Sequence, residues 1–158
     1  MRKRQAPLIL EDIDITDYAA EGKAIARHEG KVIFVSGAVP GDRARLQVTK
    51  NKKDWAEARV LEITKPSADR VQPFCRHFGT CGGCKWQMLP YPKQLQYKQQ
   101  EAEQNLLRIG KVEIPEFLPI IGADADTRYR NKLEFTFSNK RYLRPEELNT
   151  GVEVAPEN

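Results

Sequence analysis

Three cysteines, the only ones in the chain, fall within ten residues as Cys75-x5-Cys81-x2-Cys84. Thiolates are soft ligands, and a C-x2-C pair lets two sulfurs converge on one metal centre. Gly79, Gly82 and Gly83 let the backbone wrap tightly and turn N–H groups toward sulfur. An odd cysteine count, with nothing pointing to secretion, argues against a disulfide framework. Iron–sulfur clusters and structural zinc both prefer four protein ligands, and only three cysteines are present. His77 would complete a Cys3His zinc set, but it stands two residues from Cys75, a poor spacing for both to ligate. His28 belongs to a hairpin and reads as a surface residue. Three free thiols are the plain alternative, and their clustering with glycines weighs against it. The spacing thus points to a metal and leaves its identity open.

The segment before the cysteines must position them, and it reads as five short strands. Leu8–Ile15 alternates over its second half, and Gly22–His28 follows. Glu29-Gly30 is a two-residue hairpin loop with Gly30 free to take positive φ. Lys31–Ser36 is β-branched and aromatic. Val39-Pro40-Gly41-Asp42 carries the signature of a type II turn, with Pro presetting φ and Gly supplying positive φ. Arg43–Lys50 alternates basic or polar with apolar, Asn51-Lys52-Lys53 turns, and Trp55–Ile63 returns. Five strands in so few residues protect their edges by closing into a small barrel.

Residues 65–91 have no period and hold Pro66, Pro73 and Pro90 with the cysteines, a long loop that something must order. Residues 92–109 predict a helix, with Pro92 at its first position, Leu95, Ala102 and Leu106 on one stripe, and Gly110 as its stop. After a Pro-containing connection over 111–126, Arg128–Ser138 alternates as a strand. Tyr129, Leu133, Phe135 and Phe137 take one side; Arg128, Arg130, Lys132, Glu134 and Thr136 take the other. The fold class is therefore mainly β with some α. Residues 1–65 form the barrel, 66–91 the cysteine-rich segment, and 92–158 a helix and the start of an unfinished unit.

The chain has 158 residues, 40% apolar and 30% charged, and no apolar run long enough to span a membrane. Met1-Arg2-Lys3-Arg4 does not lead into an apolar core, so no secretory signal is expected and the protein reads as cytoplasmic. The formal charge is +4. Residues 145–158 carry four Glu and no base, leaving 26 bases against 18 acids over residues 1–144, a net of +8. Such an excess suits an anionic partner or is simply a solvated face. Arg43, Arg45, Lys50, Lys52 and Lys53 gather on one strand and its turn. Arg128, Arg130 and Lys132 share another strand face. Phe34 either stacks on a base beside these charges or packs in the core; Trp86 is expected to pack over the cysteine site.

Taken together, Cys81-Gly82-Gly83-Cys84-Lys85-Trp86-Gln87 with Cys75 upstream, then Tyr91-Pro92-Lys93-Gln94-Leu95 and Lys98, resembles the iron–sulfur segment of the RNA uracil-5-methyltransferases, in particular the 23S ribosomal RNA type. Glu21-Gly22, Glu29-Gly30-Lys31, Phe34-Val35 and Val39-Pro40-Gly41-Asp42 resemble the TRAM domain, a small OB-like RNA-binding barrel. Arg70 and Pro73 fall where that family has its link to the first cysteine. Tyr129-Arg130-Asn131-Lys132 looks like the start of its central domain. The resemblance covers roughly residues 8–140.

The resemblance implies that Cys75, Cys81 and Cys84 are three ligands of a [4Fe–4S] cluster whose fourth ligand lies outside this chain. It implies an S-adenosylmethionine-dependent enzyme that flips a uracil out of RNA and methylates C5 after a cysteine thiolate adds to C6. Nothing here resembles the Gly-rich turn of a methyl-donor domain, and the cluster motif takes all three cysteines. No catalytic or S-adenosylmethionine-binding residue is therefore expected in this chain, which reads as the N-terminal portion of such an enzyme, inactive alone. The partner implied is RNA, 23S rRNA above all, for a monomer with no membrane contact. Two rivals stand beside this reading. One is a stand-alone RNA-binding module with structural zinc. The other is a radical S-adenosylmethionine enzyme, whose usual C-x3-C-x2-C spacing the first gap here does not match.

Overall fold

A computed structural model describes residues 7–80 and 82–129, with Lys132, Glu134, Phe137 and Asn139. Cys81, Arg130, the acidic tail and most of the strand expected over Arg128–Ser138 lie outside the described residues. Arg128, Tyr129, Lys132, Glu134 and Phe137, which are described, belong to no strand.

Five strands close a barrel in the order β1-β2-β3-β5-β4. They are β1 (Ile9–Tyr18), β2 (Ala24–His28), β3 (Lys31–Ser36), β4 (Arg43–Asn51) and β5 (Trp55–Lys65). Neighbours run antiparallel except β3 and β5, which are parallel. Closure leaves no free edge, the constraint that made a barrel the expected answer.

The alternation read from the sequence becomes an inside and an outside. Ile13, Ile15, Ala24, Ala26, Ile33, Val35, Ala44, Leu46, Ala56 and Ala58 fill the lumen. Alanine is a weak strand former, but a small barrel leaves little room, and small residues from three strands make space for Ile33 and Leu46. The two turns match their chemistry. Glu29 and Gly30 both take positive φ (48° and 77°), as a two-residue type I′ hairpin requires. Gly41 takes φ 88° and the Asp42 N–H donates to the Val39 carbonyl at 3.1 Å, the type II turn foreseen over 39–42.

Beyond the barrel, the described residues of 66–90 are irregular, and α1 (Tyr91–Gln104) continues into a wider π turn over Asn105–Ile109. No residue of α1 is buried. The stripe expected from Leu95, Ala102 and Leu106 is not its packed face. Ala102 and Leu106 are exposed, while Lys93, Gln94 and Tyr97 meet the loop and barrel. Gly110 likewise stays right-handed at φ −69°, and Lys111 takes the left-handed position at φ 50°. A Cβ on Gly110 would lie 2.8 Å from the Leu106 carbonyl oxygen, so this glycine serves close approach and not a positive φ. No helix among the described residues is long and apolar enough to cross a membrane.

Candidate nucleic-acid interface and cysteine loop

The cysteine loop is fastened to the barrel by polar anchors and one small apolar seam. Asp42, buried at the end of the type II turn, is the first anchor. Its Oδ2 accepts from the Val39 N–H at 2.8 Å and from Arg70 Nη2 at 2.6 Å. Its Oδ1 accepts from the Ser67 N–H at 2.8 Å and from Arg70 Nε at 3.0 Å. Arg70 also donates to the Gly37 carbonyl at 3.1 Å. A buried carboxylate is tolerated only when paired and fully hydrogen-bonded, and both oxygens here are. Arg70 thereby ties the link toward Cys75 to the barrel.

The seam is Val39, Met88 and Leu89, flanked by Tyr18, Phe78 and Tyr97. Trp86 belongs to the same side. Its ring lies 5.0 Å from Tyr18, and a Cβ on Gly22 would come within clashing distance of its indole nitrogen. Gly22, at φ 71°, is thus required twice over, by its backbone and by the indole against it. Trp86 Nε1 is buried without a hydrogen-bond partner among the described residues. Trp86 therefore docks the loop on the barrel. Burial raises the Tyr18 hydroxyl well above its usual range, and that hydroxyl donates to the Ala38 carbonyl at 3.3 Å.

Inside the loop, Gln87 Oε1 accepts from the Cys75 N–H at 3.2 Å, so the last residue of the C-G-G-C-x-x-Q pattern holds the first cysteine in place. Successive turns follow, Phe78 N–H to Cys75 O and Thr80 N–H to His77 O. Gly79 and Gly82 take φ 82° and 72°. Cys75 is half-buried, Cys84 is exposed, and Cys81 lies outside the described residues. His77 accepts from Arg76 Nε at 3.1 Å. No group of three or more His, Cys, Asp or Glu gathers for a metal among the described residues. The donor chemistry nevertheless suits a soft metal centre: thiols on glycine-rich, left-handed turns, with one of them held from behind by Gln87.

The basic residues expected to share one patch are divided. Arg43 binds Asp14 at 2.7 Å and Asp12 at 3.3 Å, and Arg45 binds Glu11 at 2.9 Å. A β1 bulge with Asp12 at φ 54° brings these carboxylates over β4. Hydrogen bonding from Arg43 holds the Asp14 carboxyl below its usual value, and Asp14 in turn raises Arg43. Lys50 stands at the other end of β4, roughly 20 Å away at strand rise. A second bulge, where Val48 opposes Ala58 and Lys50 opposes Glu57, re-aims Lys50 outward; strict alternation would have pointed it inward after Ala44, Leu46 and Val48. Its ammonium sits 4.8 Å from the Trp55 ring centroid. Lys52 and Lys53 are exposed on the adjoining turn. Arg128 is exposed with φ 57°, and Lys132 reaches Glu134 at 3.7 Å.

Phe34 lies on the outer surface, not in the core. It is half-buried and edge-on to Trp55 at 6.2 Å, on the face where Val32 opposes Trp55 and Phe34 opposes Glu57. With the turn at Ala19–Lys23 these residues line a groove of about 540 Å³. Trp55 as a half-buried, outward-facing aromatic platform was missed in the sequence. Its signal was available, since Ala56 and Ala58 mark the inward positions of β5 and place Trp55 and Glu57 outside.

Residues 11–61 match the TRAM domain family model. The chain is 52% identical over 136 residues to a Porphyromonas gingivalis protein named an uncharacterized RNA methyltransferase, covering 86% of this chain and 29% of that protein. A Bacteroides thetaiotaomicron protein of the same name is 54% identical over 85% of this chain and 30% of its own length. The 23S rRNA (uracil(1939)-C(5))-methyltransferase RlmD of Acidithiobacillus ferrooxidans is 44% identical over 77% of this chain and 28% of its own length. The five-stranded closed barrel is the architecture the resemblance implied. The chain thus carries a TRAM domain, is similar over most of its length to proteins named RNA methyltransferases, and spans about three-tenths of the length of the curated relatives it matches.

Proposed function

We propose that this chain is the N-terminal RNA-binding and iron–sulfur portion of an S-adenosylmethionine-dependent RNA (uracil-5-)-methyltransferase acting on 23S rRNA. The observation that carries the reading is the extent of the relation. A match covering 86% of the chain necessarily takes in the cysteine segment and α1 with most of the barrel, and so runs far past the TRAM domain at 11–61. The barrel supplies two things RNA needs: cations for phosphate at Lys50, Lys52 and Lys53, and π surface for bases at Phe34 and Trp55. Arg128, Arg130 and Lys132 are a second set of phosphate contacts in this reading. Arg43 and Arg45 contribute less, because β1 carboxylates already neutralise them.

Cys75, Cys81 and Cys84 would hold three irons of a [4Fe–4S] cluster, with the fourth ligand outside this chain. When bound, the cluster orders the loop. The chain's own residues hold that loop against the barrel through Arg70, Trp86 and Gln87, so the cysteine loop keeps a set position relative to RNA on the barrel. Methyl transfer belongs to the remaining length of the enzyme, which is cytoplasmic and monomeric in this reading. The test is anaerobic purification of the complete reading frame, assay of iron and sulfide, and mass spectrometry of 23S rRNA after incubation with S-adenosylmethionine. Iron, sulfide and 5-methyluridine are expected. Stoichiometric zinc without iron would turn the reading to an RNA-binding zinc module, and absence of 5-methyluridine would remove the enzymatic assignment.

A further inference from the structure

The groove beside Trp55 differs in charge from the turn next to it. Its apolar walls are Val32, Phe34, Trp55 and the Ala19–Ala20 backbone turn. Its polar groups are the carboxyls of Glu21, Asp54 and Glu57 and the ammonium of Lys23. Lys23 is already taken, binding Glu57 at 3.4 Å. Glu21 and Asp54 are exposed, and among the described residues their side chains make no ion pair or hydrogen bond. The groove is therefore aromatic and negative, while Lys50, Lys52 and Lys53 make the adjoining strand end and turn positive. A phosphate is repelled from the first and attracted to the second. A nucleobase fits the reverse pattern: ring on the aromatic wall, hydrogen-bond donors toward carboxylate, phosphate left outside on the lysines. The volume, about 540 Å³, leaves room for one base and its sugar.

We infer that this groove is a guanine-selective base pocket on the RNA-binding face, an inference that rests on the RNA-binding reading above. A carboxylate offers only acceptors. Guanine presents two adjacent donors on its Watson–Crick edge, N1–H and the N2 amino group, and two carboxylate oxygens accept both at once. Adenine and cytosine each set an acceptor nitrogen beside their single amino group. Uracil flanks its one N–H with two carbonyl oxygens. Each of these three turns at least one acceptor toward Glu21 or Asp54, a repulsive contact that sharpens discrimination. Stacking on one of the two rings, Phe34 or Trp55, which stand edge-on to each other, is available to any base and supplies affinity without selectivity.

The test is equilibrium binding of the 158-residue chain to short single-stranded RNAs that differ at one position, guanine, inosine, adenine or uracil, followed by fluorescence anisotropy. Guanine RNA is expected to bind about tenfold tighter than inosine RNA, a factor matching one charge-assisted hydrogen bond, and adenine RNA, which also turns an acceptor toward the carboxyls, is expected to bind more weakly still. The double variant Glu21→Gln and Asp54→Asn changes only surface carboxyls, so it leaves the fold intact. It should erase that preference while keeping or raising affinity for adenine RNA. Trp55→Ala should weaken every RNA by about tenfold, with circular dichroism checking that the barrel is retained. RNA binding without base preference, or a preference that survives the double variant, would overturn the pocket and leave RNA binding standing. No binding to any RNA would overturn both. Displacement of guanine RNA by an arginine-rich peptide that loses affinity in the double variant, with no base preference, would assign the groove to a basic protein partner instead.

Discussion

The barrel and the cysteine loop are held by different physics. The barrel buries a continuous apolar core, Ile33 and Leu46 among small neighbours, and its hydrogen-bonded ladder closes on itself. The loop and α1 bury almost nothing of their own; Met88 and Leu89 reach the seam, and the rest depends on Arg70, Gln87, Gln94 and Trp86. A core tolerates changes on its surface and fails when hollowed. A loop held by a few directional contacts fails when one anchor is removed, even while the barrel stays folded. That difference suits the proposed roles, a rigid platform for RNA beside a segment whose order is completed by its own ligand.

The sharpest way to break the comparison is to hollow the core. Leu46→Ala should cost about 3–4 kcal/mol in thermal or urea unfolding, whereas Leu106→Ala on the exposed end of α1 should change stability by less than about 0.5 kcal/mol. Equal effects would mean that the two regions share one core. Next comes Arg70→Ala, which leaves the buried Asp42 carboxylate without its cation. The expected loss is about 2–3 kcal/mol, under the usual figure for a fully buried pair because the guanidinium is partly exposed. Limited proteolysis should then cut within 66–90 before the barrel unfolds; simultaneous loss of both regions would contradict separate fastening.

A smaller effect is expected from Gly22→Ala. The left-handed backbone costs about 1–2 kcal/mol in any other residue, and the new methyl displaces the Trp86 indole. In a Trp55→Phe background, Trp86 emission should shift to the red while barrel circular dichroism is unchanged. Smallest is the Asp14–Arg43 pair on the barrel surface. The folded Asp14 carboxyl sits below its ordinary value, so its contribution is complete above roughly pH 4 and fades as pH falls through the lowered value. Exposure keeps the contribution small. Asp14→Asn should lower the melting temperature slightly at neutral pH, and the difference should vanish in strong acid; a difference that grows in acid would reverse the sign of this linkage.

Much of the barrel was legible because strand period and turn chemistry agree. Alternation over 43–48 sorted inside from outside, and Gly30 and Gly41 marked turns that only a few residue types make. What the period does not carry is a bulge. One extra residue at Thr49 returned Lys50 to the outer surface, and another at Asp12 brought acids over Arg43 and Arg45. The charges were therefore visible and their pairing was not. The same holds for Trp86 and Gln87, whose contacts with Gly22 and Cys75 join residues far apart in the chain or across an irregular loop. Helix propensity located α1 near its true limits, but its packed face follows the polar fastening of Lys93, Gln94 and Tyr97, which hydrophobic spacing does not register.

The most direct test of the barrel's proposed role is binding of the 158-residue chain to a 23S rRNA segment across a salt series, beside the variant Lys50→Ala, Lys52→Ala, Lys53→Ala. The logarithm of affinity should fall linearly with the logarithm of salt concentration. Removing three phosphate contacts should make that slope shallower by about 2 for single-stranded RNA. An identical slope for the two proteins, or no binding by the unaltered chain, would contradict an RNA interface at the Lys50–Trp55 end of the barrel.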